Sequence, residues 1–193
     1  MSDVTHEQVN LMLRLYDIRR EPRLREARDW YMSHFNPKTP EEVMTQCPPG
    51  SQENAFMRMV FSYWDMVASI VNRGLIDEDF FFENTGEQWV VWERLKPVAP
   101  AFRAMFKNPL VFSNLEKHVE AMDRWREKRA PGSTEAMRAM SAQMQQQAAQ
   151  RKTGAGFLAV FSRGGLAPPL NFASQRYSVE HQVCSFLLFA DFL

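Results

Sequence analysis

Apolar residues recur three and four positions apart through most of the first 130 positions, the spacing that gives a helix one apolar face. In VNLMLRLYDIRR, Val9, Met12, Leu13 and Tyr16 share such a face, and Thr5 with Gln8 forms a capping box ahead of it. Pro22 either starts a second helix or kinks the first. The segment RLREARDWYMSHF then sets Leu24, Ala27, Tyr31 and Phe35 on one stripe. Residues 36–50 read as a proline-rich connection with one helical turn at Pro40–Met44. Ser51 caps the strongest pattern in the chain, QENAFMRMVFSYWDMVASIVNR, whose Phe56, Met59, Val60, Tyr63, Val67, Ile70 and Val71 predict the spine of the core. Gly74 should end it in the left-handed conformation, with Leu75 packing back.

Asp77 predicts the cap of a short helix, EDFFFENT, which Gly86 ends, and EQWVVWERL follows. Pro97 and Pro100 interrupt or restart the chain, and Asn108-Pro109 opens LVFSNLEKHVEAMDRWREKR, with Leu115, Val119, Met122 and Trp125 along one side. Pro131-Gly132-Ser133 breaks that pattern, and Ser133 caps TEAMRAMSAQMQQQAAQRK. This last helix has few apolar anchors and should be exposed, frayed or dependent on a partner. The expected fold is all-α: an irregular bundle of about five to six helices over residues 1–152. Composition then shifts, since residues 153–193 hold four charged residues against 42 in the preceding 152. With no sustained helical period, that segment reads as an atypical, poorly structured tail without which residues 1–152 fold alone.

A chain of 193 residues is long enough for one substantial core. Its 23 basic and 23 acidic residues cancel, so no whole-molecule field points to nucleic acid or to an acidic membrane. Residues 41–94 carry ten acids and three bases, however, and residues 95–152 eleven bases and five acids, and the two halves are expected to face each other in the fold. Two distant cysteines, Cys47 and Cys184, give neither a zinc spacing nor a disulfide framework and fit a reducing compartment. No signal-peptide pattern and no apolar run of about 18 residues or more occurs, so a cytoplasmic protein with no transmembrane segment is expected.

The motifs that would carry chemistry fail on spacing. An EF-hand loop counted from Asp77 finds Asp79 at its third position but Phe81 and Phe82 at its fifth and sixth. None of His6, His34, His118 and His181 follows a glutamate by three residues, as the Glu-x-x-His of a di-iron helix requires. Glu116, Glu120 and Asp123 share a face with Lys117, Arg124 and Lys128 among them, the mark of a solvated salt-bridge surface. The stretch from Gly154 to Ala159 matches GxGxxA but follows a helical pattern instead of a strand, so it is no dinucleotide loop. No catalytic, cofactor-binding or metal-binding residue is expected, and no cofactor. One competing reading is an enzyme with an unrecognised site around Cys47, His34 and the acidic 77–87 segment. The other is a peripheral nucleic-acid or membrane binder using the basic 124–152 region, where Trp125 sits in DRWREKR.

Two stretches carry a resemblance: NAFMRMVFSYWDMVASIVNRGLIDEDFFFENTGEQWVVWERLKP and the earlier LMLRLYDIRREPRLREARDWYMSHF. Together they resemble a bacterial family of helical proteins classed only as a domain of unknown function, family 4760, over roughly residues 9–130. The resemblance implies an all-helical fold and no established activity, substrate or cofactor. Some members of that family carry an N-terminal membrane anchor, which nothing here matches, and the tail after residue 152 has no counterpart in it.

Phe80, Phe81 and Phe82 would span about 200° of a helix, wider than one buried stripe. They therefore either plug between layers of the bundle or leave one ring for a partner. The expected function is contact with a protein partner or a second copy of the chain, with Phe80, Phe81, Phe82 and Trp125 as candidate contact residues and nucleic acid not expected.

Overall fold

A computed structural model describes residues 4–161, and all regular structure among them is helical. The helices are α1 (His6–Arg19), α2 (Pro22–His34), α3 (Pro40–Gln46), α4 (Gln52–Asn72), α5 (Glu78–Asn84), α6 (Glu87–Leu95), α7 (Ala99–Met105), α8 (Ser113–Arg129) and α9 (Ser133–Phe161). The expected all-α class holds, with nine helices among the described residues where five to six were expected. Proline explains the surplus: Pro22, Pro40 and Pro100 each sit at the first or second position of a helix, where the missing N–H costs nothing. Helix α9 runs nine residues past Lys152, and residues 162–193 of the expected tail lie outside the described residues.

Two compact units divide the chain, one up to Met122 and one from Asp123. In the first, α4 is the spine and α2 packs along it. Of the residues predicted on α4 and α8, Phe56, Val60, Tyr63, Val67, Val71, Leu115, Val119 and Met122 are buried. Met59 and Ile70 are only half-buried, because the inward face turns toward Met57, Phe61, Trp64 and Ala68. The α2 stripe of Leu24, Ala27, Tyr31 and Phe35 is buried as predicted. Tyr31, Phe35 and Phe61 form one aromatic cluster, with Phe61 edge-on to both others at 5.6 and 5.5 Å. Such pairs add about 0.5–1.5 kcal/mol each beyond the area they bury.

The face of α1 differs from the predicted one. Leu13 and Tyr16 are exposed, and Leu15 and Arg19 point inward. The reason is a charge that the pattern of apolar residues does not register. Glu87, at the first position of α6, accepts hydrogen bonds from Arg28 Nε (2.6 Å) and Nη2 and from Trp64 Nε1 (3.1 Å), and Arg19 Nη1 lies 3.6 Å away. Arg28 also donates to the Arg19 carbonyl at the end of α1 (3.3 Å). One carboxylate thus joins α1, α2, α4 and α6.

Carbonyls and amides at the helix ends are satisfied across the bundle as well. Arg94 of α6 donates to the carbonyls of Tyr31 (2.8 Å) and Phe35 (3.1 Å), closing the C-terminus of α2, where a cation also meets the favourable end of the dipole. The Tyr31 hydroxyl returns a bond to the Val91 carbonyl (2.9 Å). Asp65, on α4, accepts from the Leu115 amide (3.0 Å) and Asn114 Nδ2 (3.2 Å), capping α8 from a distance. Gly74 ends α4 as predicted, with φ +73° and the two backbone bonds of a Schellman ending. Leu75 does not pack back, and Ile76 takes the buried place instead.

The second unit is the α8–α9 turn. Glu127 accepts from the Gly132 amide (2.8 Å) and the Thr134 amide (3.1 Å), and Arg138 of α9 donates to Asp123 (2.6 Å). The two amides hold the Glu127 carboxyl below its usual range.

Replacing Glu87 tests the first unit. Glu87→Ala strands two guanidiniums in a largely dry site, and breaking a buried ion cluster from one side costs about 3–5 kcal/mol. Urea unfolding should show that loss, with Glu87→Gln losing less because its amide oxygen still accepts from Trp64. A change below about 1 kcal/mol in Glu87→Ala would mean that the arginines find water, and that the carboxylate is not what holds the four helices together.

Candidate functional site

Two places in the first unit bring polar groups inside, and each is built from residues that a catalytic site could use. The first surrounds Glu87. Beside it a cleft between α1, α4 and α5 is lined by Met12, Leu15, Tyr16, Arg19, Tyr63 and Trp64, and it has room for little more than a water molecule. The Tyr63 hydroxyl donates to the Leu15 carbonyl (2.7 Å), and burial raises its pKa well above the phenol range, so it stays protonated. The Arg19 guanidinium lies 5.1 Å from the centre of the Tyr16 ring, which covers it from outside. The Tyr63 hydroxyl is turned to a carbonyl and the Glu87 carboxylate to guanidiniums. The cluster binds helices together.

The second place is the compartment of α5, α6 and α8. His118 is fully buried, and its ring meets Phe81 and Phe82 edge-on, with centroids 5.3 and 5.1 Å away. Neither ring nitrogen has a hydrogen-bond partner. Gln88, also fully buried, donates from Nε2 to the Thr85 carbonyl (3.2 Å) and hydroxyl (3.1 Å) and touches Met122 Sδ (3.6 Å), while its Oε1 is unpartnered. Helical spacing explains the assembly: Phe81, Thr85 and Gln88 follow one another around the α5–α6 corner, and His118 and Met122 lie one turn apart on α8. Burial pushes the His118 pKa down to about 4, so the imidazole is neutral at physiological pH. The sequence reading missed this compartment. A lone histidine on an apolar helical face, His118 between Leu115 and Met122, was the available signal.

The residues singled out from sequence are placed as follows. Phe81 and Phe82 are buried, and Phe80 is half-buried on the other side of α5. Asp77 caps α5 through the Phe80 amide (3.0 Å), and Glu78 and Asp79 occupy its first turn, where the helix dipole favours carboxylates. Trp125 is half-buried, with Arg129 stacked 4.3 Å over its ring. Cys47 is buried at the end of α3, and burial pushes its thiol up to about 11, which makes it a poor nucleophile. His34 is exposed, stacked on Trp30 and bonded to the Trp30 carbonyl (3.2 Å). Cys47 is thus enclosed while His34 faces solvent. Among the described residues no three His, Cys, Asp or Glu side chains are grouped to hold a metal ion. No helix among them is long and apolar enough to cross a membrane.

His118 generates a pH dependence. The unfolded chain binds its proton below about pH 6.5 and the folded chain only near pH 4, so this stability is present above pH 6.5 and lost as pH falls to 4. Between pH 7 and pH 5 the loss amounts to about 2 kcal/mol. His118→Leu should remove that part of the acid sensitivity, without loss at pH 7, because the imidazole makes no hydrogen bond there. Urea unfolding of both proteins at the two pH values gives the difference directly. Equal acid sensitivity in the two would show that the folded chain protonates His118 without cost.

No curated protein and no solved structure matches the chain. The model of one family, a domain of unknown function termed DUF4760, matches residues 4–125. That span takes in α1 to α7, most of α8, and both polar compartments, and it stops short of α9. The sequence resemblance over roughly residues 9–130 pointed to the same family, and with well over half of its length matched, this chain belongs to the DUF4760 family.

Proposed function

We infer that this chain is a non-enzymatic, cytoplasmic helical protein that acts through protein–protein contacts, with another protein or with a second copy of itself, and that α9 is its principal contact element. One observation carries the reading. Met137, Met140 and Met144 stand at positions i, i+3 and i+7 of α9, so they share a face, and Met140 and Met144 are exposed. Much of the rest of the helix is glutamine, alanine and serine. Three methionines on one face of a helix suit helix-in-groove docking, since unbranched thioethers adapt to the partner surface. The root of α9 is fixed by Glu127 and Arg138, so the stripe is presented from a held base. In this reading Phe80 and Trp125, both half-buried, are secondary contacts, and Phe81 and Phe82 support Phe80 from inside the bundle.

Chemistry elsewhere in the chain agrees with a binding role. The thiol of Cys47 and the imidazole of His118 are enclosed, and the largely covered carboxylate of Glu87 is engaged by arginines. A buried free cysteine also fits a reducing compartment.

The test is Met140→Lys with Met144→Lys in the full chain. Sedimentation of the purified protein reads self-association, and capture from the source cells reads other partners. The double variant should weaken whichever contact the parent makes by about tenfold or more, the effect of losing one to two kcal/mol at an interface centre. Its helical circular dichroism and melting temperature should match the parent's. Unchanged association would remove α9 from the contact and the reading with it.

A further inference from the structure

The turn after α7 departs from ordinary helix endings in two ways. Asn108 N–H donates to the Arg103 carbonyl (3.0 Å) and Lys107 N–H to the Ala104 carbonyl (3.1 Å), the two bonds of a Schellman ending. They place Lys107 in the left-handed region, φ +48°, where glycine is usual and a side chain is strained. Apolar residues beside such an ending normally fold back onto the helix. Here Met105, Phe106 and Leu110 are 62, 60 and 70 % exposed.

The turn is nevertheless firmly built. Arg103 Nε donates to the Val111 carbonyl (3.0 Å), and its Nη2 donates to Glu116 (2.6 Å), strapping the turn to α8. The Asn108 side chain accepts from the Leu110 amide (2.9 Å). Phe112, also left-handed at φ +60°, turns its ring inward against Phe61 (5.2 Å) and Phe102 (5.7 Å). Three large apolar side chains are therefore held outward on a fixed base.

We propose that this tip docks on a membrane surface containing anionic lipid, with Phe106 and Leu110 entering the boundary between headgroups and acyl chains. Charge selects the surface. Residues 95–115 contain Lys96, Arg103 and Lys107 and no acid, and with Arg103 taken up by Glu116, the exposed Lys107 within the turn gives the tip a positive charge. Apolar side chains beside exposed lysines are the pattern of interfacial membrane binding, and each lysine near an anionic leaflet adds about a fivefold factor in affinity. Size points the same way. At about 200 Å² per large side chain, the three expose roughly 400 Å². A specific protein interface needs about 800 Å² from each partner. A bilayer requires no shape complement, so a small convex tip suffices. A symmetric contact between two copies through the tip would set Lys107 against the same charge on its twin.

The experiment is flotation of the full chain with vesicles of phosphatidylcholine alone or mixed in equal parts with phosphatidylserine. The parent should float with the mixed vesicles and lose binding as salt rises. Phe106→Ser with Leu110→Ser should lower binding about tenfold or more. Lys107→Gly keeps the left-handed turn and removes the charge, and it should bind about fivefold less while its melting temperature holds or rises. Leu75→Ser, at another exposed leucine away from the turn, should bind as the parent does. Parent-like binding by both tip variants would overturn the proposal. So would a parent that ignores both kinds of vesicle while the serine variant loses self-association, since that result assigns the tip to a protein.

Discussion

A single carboxylate shared by two guanidiniums is the constraint around which the first unit closes. Removing three charged groups from water is costly, and Glu87 recovers that cost through three bonds that arrive from α2 and α4, while Arg19 adds its field from α1. Because α6 begins at this residue, the N-terminal end of its dipole points at the same negative charge. The geometry allows little tolerance. Moving α1 or α2 away from α6 would strand an ion in a largely dry interior, so the apolar packing of α2 along α4 and the ion cluster must be satisfied together.

Polar chemistry and surface chemistry separate cleanly in this chain. Among the described residues, these buried titratable groups are neutral or bonded: His118 without a proton, Tyr63 and Tyr31 bonded to carbonyls, Cys47 shielded. Outside, the unusual feature is apolar, methionine on α9 and Met105, Phe106 and Leu110 after α7.

Much of the fold was legible in the sequence because helical spacing, proline and capping residues act locally. Thr5, Thr39, Ser51 and Asp77 each accept from an amide three residues on. The α2 stripe was correct to the residue. The face of α1 was not, because Leu13 and Tyr16 are as apolar as Leu15, and what chose between them was Arg19 seeking a carboxylate almost seventy positions away. The paired excess of acids and bases in the two halves gave no hint of this, since Glu87 is balanced from α1 and α2. Asp65 capping α8, and Arg94 closing α2, are likewise bonds of sequence separation 50 or more, invisible to any local pattern. The compartment of His118 could be read only as far as one histidine among apolar neighbours.

The Arg94 bonds have a consequence for the order in which the chain can fold as it is made. The carbonyls of Tyr31 and Phe35 wait for a guanidinium 59 to 63 residues later, and Arg28 waits 59 residues for Glu87. Until α6 leaves the ribosome, α2 is a short helix with an open end, and the first two helices carry two arginines, Arg19 and Arg28, toward a carboxylate that does not yet exist. At about 5–20 residues per second, that interval lasts seconds, far longer than a helix takes to form or melt. The first two helices therefore lack these bonds until about half of the 193 residues have been made, while the packing of α2 on α4 is open to them before that.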